Sequence, residues 1–224
     1  MAVGRANGTR RELPATLVEV ATDRLRDAIL SGSLQPGEKV LEEQLCVEFG
    51  ISRAPLREAL RLLSQQGLVE HLPRRGSRVT AWSPSDVLQL FALRHVLERH
   101  AVETALPMDE PESALEPVRV ALERMTHASD ELSRDDAHRR FHAAVVELAD
   151  NRQLNIALEP ILLKLQLPMA MNLRHEAQHH RADDGIRRHE AIVAALATND
   201  PATAMAALDD HGELHYLDLE NRAE

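Results

Sequence analysis

The sequence contains little of what stabilises a secreted or membrane-embedded protein. It has a single cysteine, Cys46, so no disulfide can form within the chain, and this favours the reducing cytosol. No apolar run approaches the roughly 18 residues that a transmembrane helix requires. The segment Met1–Leu13 is polar and carries arginines, so we expect no secretory signal there. These absences predict a cytoplasmic protein that does not enter a membrane.

Aromatic residues are equally scarce. Three Phe, one Trp and one Tyr occur among 224 residues, which is thin for a β-sandwich and sufficient for a helical protein. Hydrophobic residues nevertheless make up 44% of the chain, too many for a disordered tail. The length suits one or two domains and is ample to bury a core.

The charged residues and the histidines are unevenly distributed. Residues 1–82 carry 12 Lys/Arg and 10 Asp/Glu, a net charge of +2, whereas residues 83–224 carry 14 and 26, a net charge of −12. Eleven of the 12 histidines lie in that second part. A slightly basic first part and an acidic, histidine-rich second part predict two domains with different partners.

Apolar periodicity and turn residues predict the layout of the first part. Helices are expected over about Thr16–Ser31, Glu42–Phe49 and Ser52–Gln66. Two short β-like runs then flank the turn Pro73–Gly76, as in a hairpin. Three helices followed by a hairpin is the layout of a winged helix-turn-helix.

The second part shows only helical periodicity, and its connections are short. We therefore expect an all-α bundle in which neighbouring helices pack antiparallel. The six predicted helices cover about 86–105, 112–129, 133–149, 153–179, 184–198 and 201–220. The predicted organisation is a flexible arm over 1–14, a winged helix-turn-helix over 15–81 (the head), a linker over 82–86 and a helical domain over 87–224 (the body).

Three arginines recur every fourth residue on the third predicted helix. Arg53, Arg57 and Arg61 therefore share one face, opposite the leucines. In a helix-turn-helix this helix enters the major groove and contacts bases with its N-terminal residues, and arginine can pair bidentately with guanine. Ser52, Arg53 and Arg57 are the candidate base-contacting residues. The alternative is an ordinary solvated face, which the order of helices and hairpin disfavours.

The hairpin tip carries a second set of candidate DNA contacts. Arg74 and Arg75 could reach phosphates or the minor groove. Gly76 has no side chain and would let the backbone approach the DNA closely. These three residues are predicted to form the tip of the wing.

Two histidines on the last predicted helices fall at the same height of a helical hairpin. His189 lies in the apolar stripe of its helix, and His211 lies among the apolar residues of the next. Each is eleven residues from the centre of the turn at residue 200, or about 16 Å along its helix. Antiparallel packing then brings the two side chains level inside the bundle.

A third helix offers His138 and His142, which are four residues apart and partly face the interior. Neutral imidazoles bind Zn²⁺, Ni²⁺ and similar ions, so four converging histidines predict a divalent transition-metal site, with Zn²⁺ preferred. A single core histidine is more often only hydrogen-bonded. Asp135, one turn before His138, is the alternative fourth ligand.

A set of specific motifs runs through the head: Pro36-Gly-Glu38, Ile51-Ser-Arg-Ala-Pro-Leu-Arg-Glu-Ala-Leu60, Gly67-Leu-Val69 and Arg75-Gly76. With these motifs, residues 15–81 resemble the DNA-binding domain of GntR-family bacterial transcription regulators. The resemblance implies that Arg53, Arg57 and Gly76 contact the operator. The chain departs from the family where Glu42 and Glu43 stand, because members often carry a basic residue in that helix.

The body carries a second set of motifs: Leu93-Arg94, Leu97-Glu98, Phe141-His142, Asp150-Asn151, His189-Glu-Ala-Ile192, and Ala207 with His211. With these it resembles the FCD domain, the all-helical effector module of FadR-type GntR regulators. Many such domains bind a divalent metal through one aspartate and three histidines. His138 stands at the aspartate position, which would make this site all-histidine and favour softer metals and an anionic ligand.

The same resemblance implies a role for Arg94. It matches a family arginine that pairs with carboxylate effectors, and arginine grips a carboxylate bidentately. The alternative is a surface arginine paired with Glu98 at i,i+4 spacing. Arg94 is therefore the candidate effector-binding residue.

One motif points to an enzyme instead. His175-Glu-Ala-Gln-His179 fits the H-E-x-x-H pattern of metallopeptidases. The longer form of the motif fails because Ala182 stands where glycine is required, and a peptidase would leave the winged-helix pattern unexplained. We expect no enzymatic activity and no catalytic residues.

The sequence thus predicts a mainly α protein that regulates transcription. Two copies of the chain would bind a short inverted repeat in double-stranded DNA. A small carboxylate bound at the metal would alter operator affinity, most simply to relieve repression. Two alternatives remain open: a regulator that senses the metal itself without an organic effector, and a metal that only braces the bundle.

Overall fold

The computed structural model describes residues 15–178 and 182–212, which are mainly helical as predicted. Within those ranges three strands and ten helices follow one another. They are α1 (Leu17–Leu30), β1 (Lys39–Val40), α2 (Glu42–Phe49), α3 (Arg53–Gln65), β2 (Val69–Leu72), β3 (Gly76–Val79), α4 (Pro84–Ala105), α5 (Pro111–Ala114), α6 (Glu116–Thr126), α7 (Glu131–Glu147), α8 (Arg152–Gln178), α9 (Ala182–Ala197) and α10 (Pro201–Gly212).

The head has the predicted winged helix-turn-helix architecture. α1 begins with a capping box in which Thr16 and Glu19 satisfy each other's backbone N–H groups. α2 ends at Gly50, which adopts the left-handed conformation with φ 67° that glycine accepts without steric cost. After this turn α3 packs against α1 and α2. The core of the head therefore holds α3, the helix predicted to enter the major groove and called the recognition helix below.

The hairpin is part of a three-stranded sheet in the order β1-β3-β2. β1 pairs antiparallel with β3, with Lys39 opposite Arg78 and Val40 opposite Ser77. β1 was not predicted, because two residues are too few to show an alternating pattern. The extra strand protects the edge of β3 and ties the wing to the segment that precedes α2.

The first helix of the body begins two residues earlier than predicted. α4 starts at Pro84 with a capping box between Ser83 and Asp86, so the helix extends into the predicted linker 82–86. Proline is well tolerated in the first turn, where its missing N–H would have no helical partner. The single helix predicted over 112–129 is divided at Leu115 into the short α5 and the longer α6.

The helices of the body pack as an antiparallel bundle. α6, α7 and α8 contact one another in sequence order, while α9 and α10 form a hairpin that packs on α4 and α6. The core between them contains Phe141 and Val145 from α7, Ile192 and Leu196 from α9, and Leu208 from α10. Phe141 and Leu196 are completely buried. The predicted end of the last helix, 213–220, lies outside the described residues.

α8 belongs to the head as well as to the body. Its residues Leu167 and Ala170 are part of the buried core cluster of the head. By length and composition alone, the segment Arg152–Met171 is long and apolar enough to cross a membrane, with a mean hydropathy of 1.2. Leu158 and Leu165, however, are at most 2% exposed. About 44% of this segment is buried, so packing inside the protein accounts for part of its apolar character.

Candidate DNA-binding surface and metal centre

α3 presents its arginines to solvent as predicted. Its buried face consists of Leu56, Ala59, Leu60 and Leu63. Arg53 and Arg57 project from the opposite side and are 60% and 65% exposed. Ser52 occupies the N-cap position, but its side chain makes no capping hydrogen bond.

Each of the two candidate base-reading arginines meets a glutamate from the preceding helix. Arg57 Nε lies 2.8 Å from Glu42 Oε2, and Arg53 pairs with Glu43. Both glutamates stand in the first turn of α2, where the helix dipole favours negative charge. The acidic departure from the family pattern therefore places two carboxylates directly against the recognition helix.

The tip of the wing has an unusual backbone. Arg74 adopts a positive φ of 64° and Gly76 a φ of 87°. A Cβ at Gly76 would meet no atom within 4 Å, so the backbone conformation and not crowding accounts for glycine there. Arg74 and Arg75 are both exposed at the end of the hairpin.

The four predicted histidines converge in the interior of the body. His138 and His142 come from α7, His189 from α9 and His211 from α10. One ligating nitrogen from each lies within 4.8 Å of those of the other three. All four residues are buried, with exposures of 1 to 7%. His189 and His211 have ring centroids 4.5 Å apart, as expected if the helical hairpin brings them level.

The surroundings of the rings leave several of their nitrogens free and close to one another. His189 Nδ1 donates to the backbone oxygen of Gly185 at 2.7 Å, which leaves Nε2 as the lone-pair nitrogen. His189 Nε2 and both ring nitrogens of His211 are buried without a hydrogen-bond partner. His142 Nε2 lies 3.1 Å from His138 Nε2. Buried nitrogens that lack partners and face one another fit a shared cation.

The protonation state of the cluster also suits a metal. Burial lowers the pKa of His189 to about 4, despite its hydrogen bond to Gly185. Burial likewise holds the pKa of His138, His142 and His211 well below the usual value. All four are therefore neutral near pH 7, and the neutral imidazole is the form that binds metal ions. These four buried histidines could form a metal site.

Glu98 is a member of this site that the sequence analysis did not identify as such. Its Oε1 lies 2.6 Å from His142 Nδ1 and 3.3 Å from Arg94 Nε. A carboxylate facing Nδ1 favours the tautomer that leaves Nε2 for a metal, as in many metal sites. Burial raises the pKa of Glu98, and the Arg94 charge opposes that rise. No sequence signal links Glu98 to His142, because the two lie on different helices.

Arg94 is buried and not a surface residue. It is 3% exposed and pairs with Glu98, which is 1% exposed. The alternative prediction, a surface arginine paired with Glu98, is confirmed for the pairing and wrong about surface exposure. Arg94 and Asp135 line a small space beside His138, together with Arg139 and Gln166. That space measures only about 10 Å³, which is room for about one water molecule.

Asp135 does not join the histidine cluster. It is 3% exposed, and burial raises its pKa to about 7. Among the described residues, the fourth histidine of the cluster is His138, so His138 and not Asp135 stands beside the other three. The other metal motif, His175 to His179, cannot be placed because His179 lies outside the described residues.

Comparison with known proteins agrees with both resemblances. Residues 17–79 match the family model of bacterial regulatory proteins of the gntR family, and residues 89–214 match that of the FCD domain. An uncharacterized HTH-type transcriptional regulator YdhC of Bacillus subtilis (strain 168) is 32% identical over 173 residues, 76% of each chain. The gluconate operon transcriptional repressor of the same organism is 26% identical and covers 94% of this chain and 86% of its own.

Solved structures share the fold. A transcriptional regulator GntR from Rhodococcus sp. RHA1 superposes with a TM-score of 0.74 over 92% of this chain and 99% of that chain, at 23% identity. The head, the helical body and the similarity of both parts to regulators agree with one another. The chain therefore belongs to the GntR family of bacterial regulatory proteins and carries an FCD domain, so it is a transcriptional regulator and not an enzyme.

Proposed function

We propose that this protein is a cytoplasmic repressor whose operator affinity is controlled by a small organic acid bound at a divalent metal in the body. The convergence of four buried, neutral histidines next to a buried arginine carries the proposal. Relatives that are named repressors, such as the gluconate operon transcriptional repressor, support the direction of control.

The DNA-binding part of the proposal rests on α3 and the wing. Ser52, Arg53 and Arg57 would contact base edges in the major groove, while Arg74, Arg75 and the backbone at Gly76 would contact phosphates or the minor groove. Residues 1–82, which include the arm and the head, carry a net charge of only +2 and attract DNA weakly. Two heads of a homodimer on an inverted repeat would double the contacts, which supports a dimer as the active species.

Zn²⁺ is the metal that the donor set fits best. Zn²⁺ binds imidazole nitrogens and can expand from four to five ligands, which would leave a position for a carboxylate oxygen beside the four histidines, and Ni²⁺ also accepts imidazole ligands. His138, His142, His189 and His211 would hold the ion, and Glu98 would orient His142. When bound, the ion would supply a Lewis-acidic positive charge to the interior of the body.

The charges around the site favour an anionic effector. A divalent ion and Arg94 would together contribute three positive charges, and the nearby buried carboxyls Glu98 and Asp135 offset at most two. A buried excess of positive charge is costly unless an anion neutralises it. A small carboxylate satisfies this need, because Arg94 can donate two parallel hydrogen bonds to it.

Metal content of the purified protein tests the site. We expect about one transition-metal ion per chain in untagged protein prepared without chelator, and a loss of most of it in a His142→Ala/His189→Ala double variant. A His100→Ala/His127→Ala variant, which changes two exposed histidines, is the matched control. Metal retained in the first variant, or absent from the wild type, would contradict the site.

Operator binding tests the recognition helix. With a duplex selected from a random pool by the protein, Arg53→Ala and Arg57→Ala should each weaken binding by about 1–3 kcal/mol and blunt sequence preference. Arg61→Ala, further along the same face, is the control and should have a smaller effect on preference. Wild-type footprints from both test variants would refute the docking of α3.

A second candidate function is metal sensing without an organic effector. The small space beside Arg94, about 10 Å³, favours it, because a carboxylate would have to displace side chains. DNA release should then follow the free metal concentration. Release caused by carboxylates at a fixed metal concentration would instead support the organic effector.

A further inference from the structure

A second cavity lies between the head and the body, apart from the histidine cluster. It measures about 230 Å³ and is formed where the chain leaves the wing and meets α8. From the head side it is lined by Thr80 and Trp82, and from α8 by Leu167, Pro168 and Met171. A cavity of about 150 Å³ lined by apolar residues can already hold benzene, so this one has room for a substituted six-membered ring.

The lining shows which chemistry the cavity accepts. None of the residues that line it carries a charge, so an ionised ligand would gain no partner and lose its hydration. Two polar atoms of the lining residues are nevertheless unsatisfied: Thr80 Oγ1 and Trp82 Nε1 are buried without a hydrogen-bond partner. Thr80 itself is 4% exposed. Leaving such atoms unpaired is unfavourable, and an oxygen on a ligand would satisfy either of them.

We propose that this junction cavity binds a small neutral organic molecule with a hydroxyl or carbonyl oxygen, and that binding alters the affinity of the head for DNA. The oxygen would accept from Trp82 Nε1–H or exchange a hydrogen bond with Thr80, and the apolar part would contact α8. The site differs in chemistry from the histidine cluster, which is surrounded by charged groups and suits an anion.

The position of the cavity links it to DNA binding. Thr80 directly follows β3 of the wing, and its backbone N–H donates to Leu68 in the head. Trp82 packs between the head and the body, since a Cβ at Gly67 would lie 3.7 Å from Trp82 and 2.9 Å from Lys164 of α8. A ligand bound here would contact both the head and α8 and would favour one arrangement of the two. If the ligand binds that arrangement more tightly than the other, it changes the affinity for the operator.

The sole tryptophan of the chain reports on this cavity directly. We would titrate the full-length protein with benzyl alcohol and follow the emission of Trp82 excited at 295 nm, with toluene and benzoate as matched probes. Benzyl alcohol should give a saturable change, toluene should bind about threefold to tenfold more weakly because it lacks the hydroxyl, and benzoate should leave the emission unchanged. An absence of a saturable change with benzyl alcohol would overturn the proposal.

Three variants separate the cavity from nonspecific binding. Thr80→Val keeps the shape of the side chain and should reduce the preference for benzyl alcohol over toluene. Ala81→Leu, an exposed position on the rim, should abolish binding of both probes, whereas Ala202→Leu on α10 should not. Identical titrations for Ala81→Leu and the wild type would overturn the site.

Two further measurements show whether a small molecule or a second copy of the chain fills the cavity, and whether filling it alters DNA binding. An affinity for benzyl alcohol that weakens as the protein concentration rises would mean that a second copy covers the cavity, which overturns a small-molecule site. Saturating benzyl alcohol should change the affinity for the selected operator at least threefold in the wild type and not in Ala81→Leu. An unchanged affinity in the wild type would overturn the coupling to DNA binding.

Discussion

The burial of neutral His189 has a consequence for stability that can be measured without metal. In the unfolded chain a histidine has a pKa of about 6.5, whereas burial lowers that of folded His189 to about 4. Between these values the unfolded chain binds a proton that the folded protein does not. The difference therefore leaves the free energy of unfolding unchanged above about pH 6.5. It lowers that free energy progressively as the pH falls toward 4.

The size of the loss follows from the two pKa values. At pH 5 unfolded His189 is almost fully protonated and folded His189 is largely neutral, which corresponds to about 2 kcal/mol of lost stability. Asp135 acts in the opposite direction, because its pKa is raised to about 7 and the folded state binds its proton more readily. The net pH dependence of the wild type is thus a sum of opposing contributions.

Comparison with a His189→Gln variant isolates the contribution of His189. We would measure the free energy of unfolding in urea at pH 7.5 and pH 5, with a chelator present throughout. The decrease in stability between the two pH values should be about 2 kcal/mol smaller in the variant than in the wild type. His100→Gln, at an exposed position, serves as the control and should behave like the wild type. Equal decreases in His189→Gln and the wild type would refute the reasoning.

Two other perturbations test the head. A Glu42→Gln/Glu43→Gln variant removes the carboxylates that face Arg57 and Arg53, so nonspecific duplex binding should tighten and its salt dependence should steepen; unchanged binding in fluorescence anisotropy would contradict this. Leu63→Ala truncates a side chain with no exposure and should cost about 2–5 kcal/mol in urea unfolding, and a cost below 1 kcal/mol would contradict the packing described for α3.

Much of the fold is encoded in local patterns. α2 and α3 of the head end at Gly50 and next to Gly67, where the chain takes positive φ, and glycine is the residue that does this at no steric cost. The buried face of α3 and its exposed arginines follow from a period of 3.6 residues. The two-residue strand β1 is too short to show a repeated alternation, and the break between α5 and α6 left no signal in the periodicity.

The histidine cluster shows how far a sequence can position a site. Helical phase predicts that His189 and His211 face inward, and a short turn between two antiparallel helices brings them level. His138 and His142 are linked by i,i+4 spacing alone, so their approach to the other pair requires the packing of α7 against α4, α6 and α8. Spacing could not choose between His138 and Asp135, because both lie on the same side of α7.

By itself the sequence determined the winged helix-turn-helix, the helical bundle, the spacing of the arginines and the inward direction of the histidines. These properties depend on rules that act over a few residues or across one tight turn. Only the tertiary structure placed Glu98 against His142, buried Arg94, set Glu42 beside Arg57 and left a cavity where α8 meets the head. Such contacts join residues on separate elements, and the distances between them are fixed by packing angles and rotamers that hydrophobic periodicity does not encode.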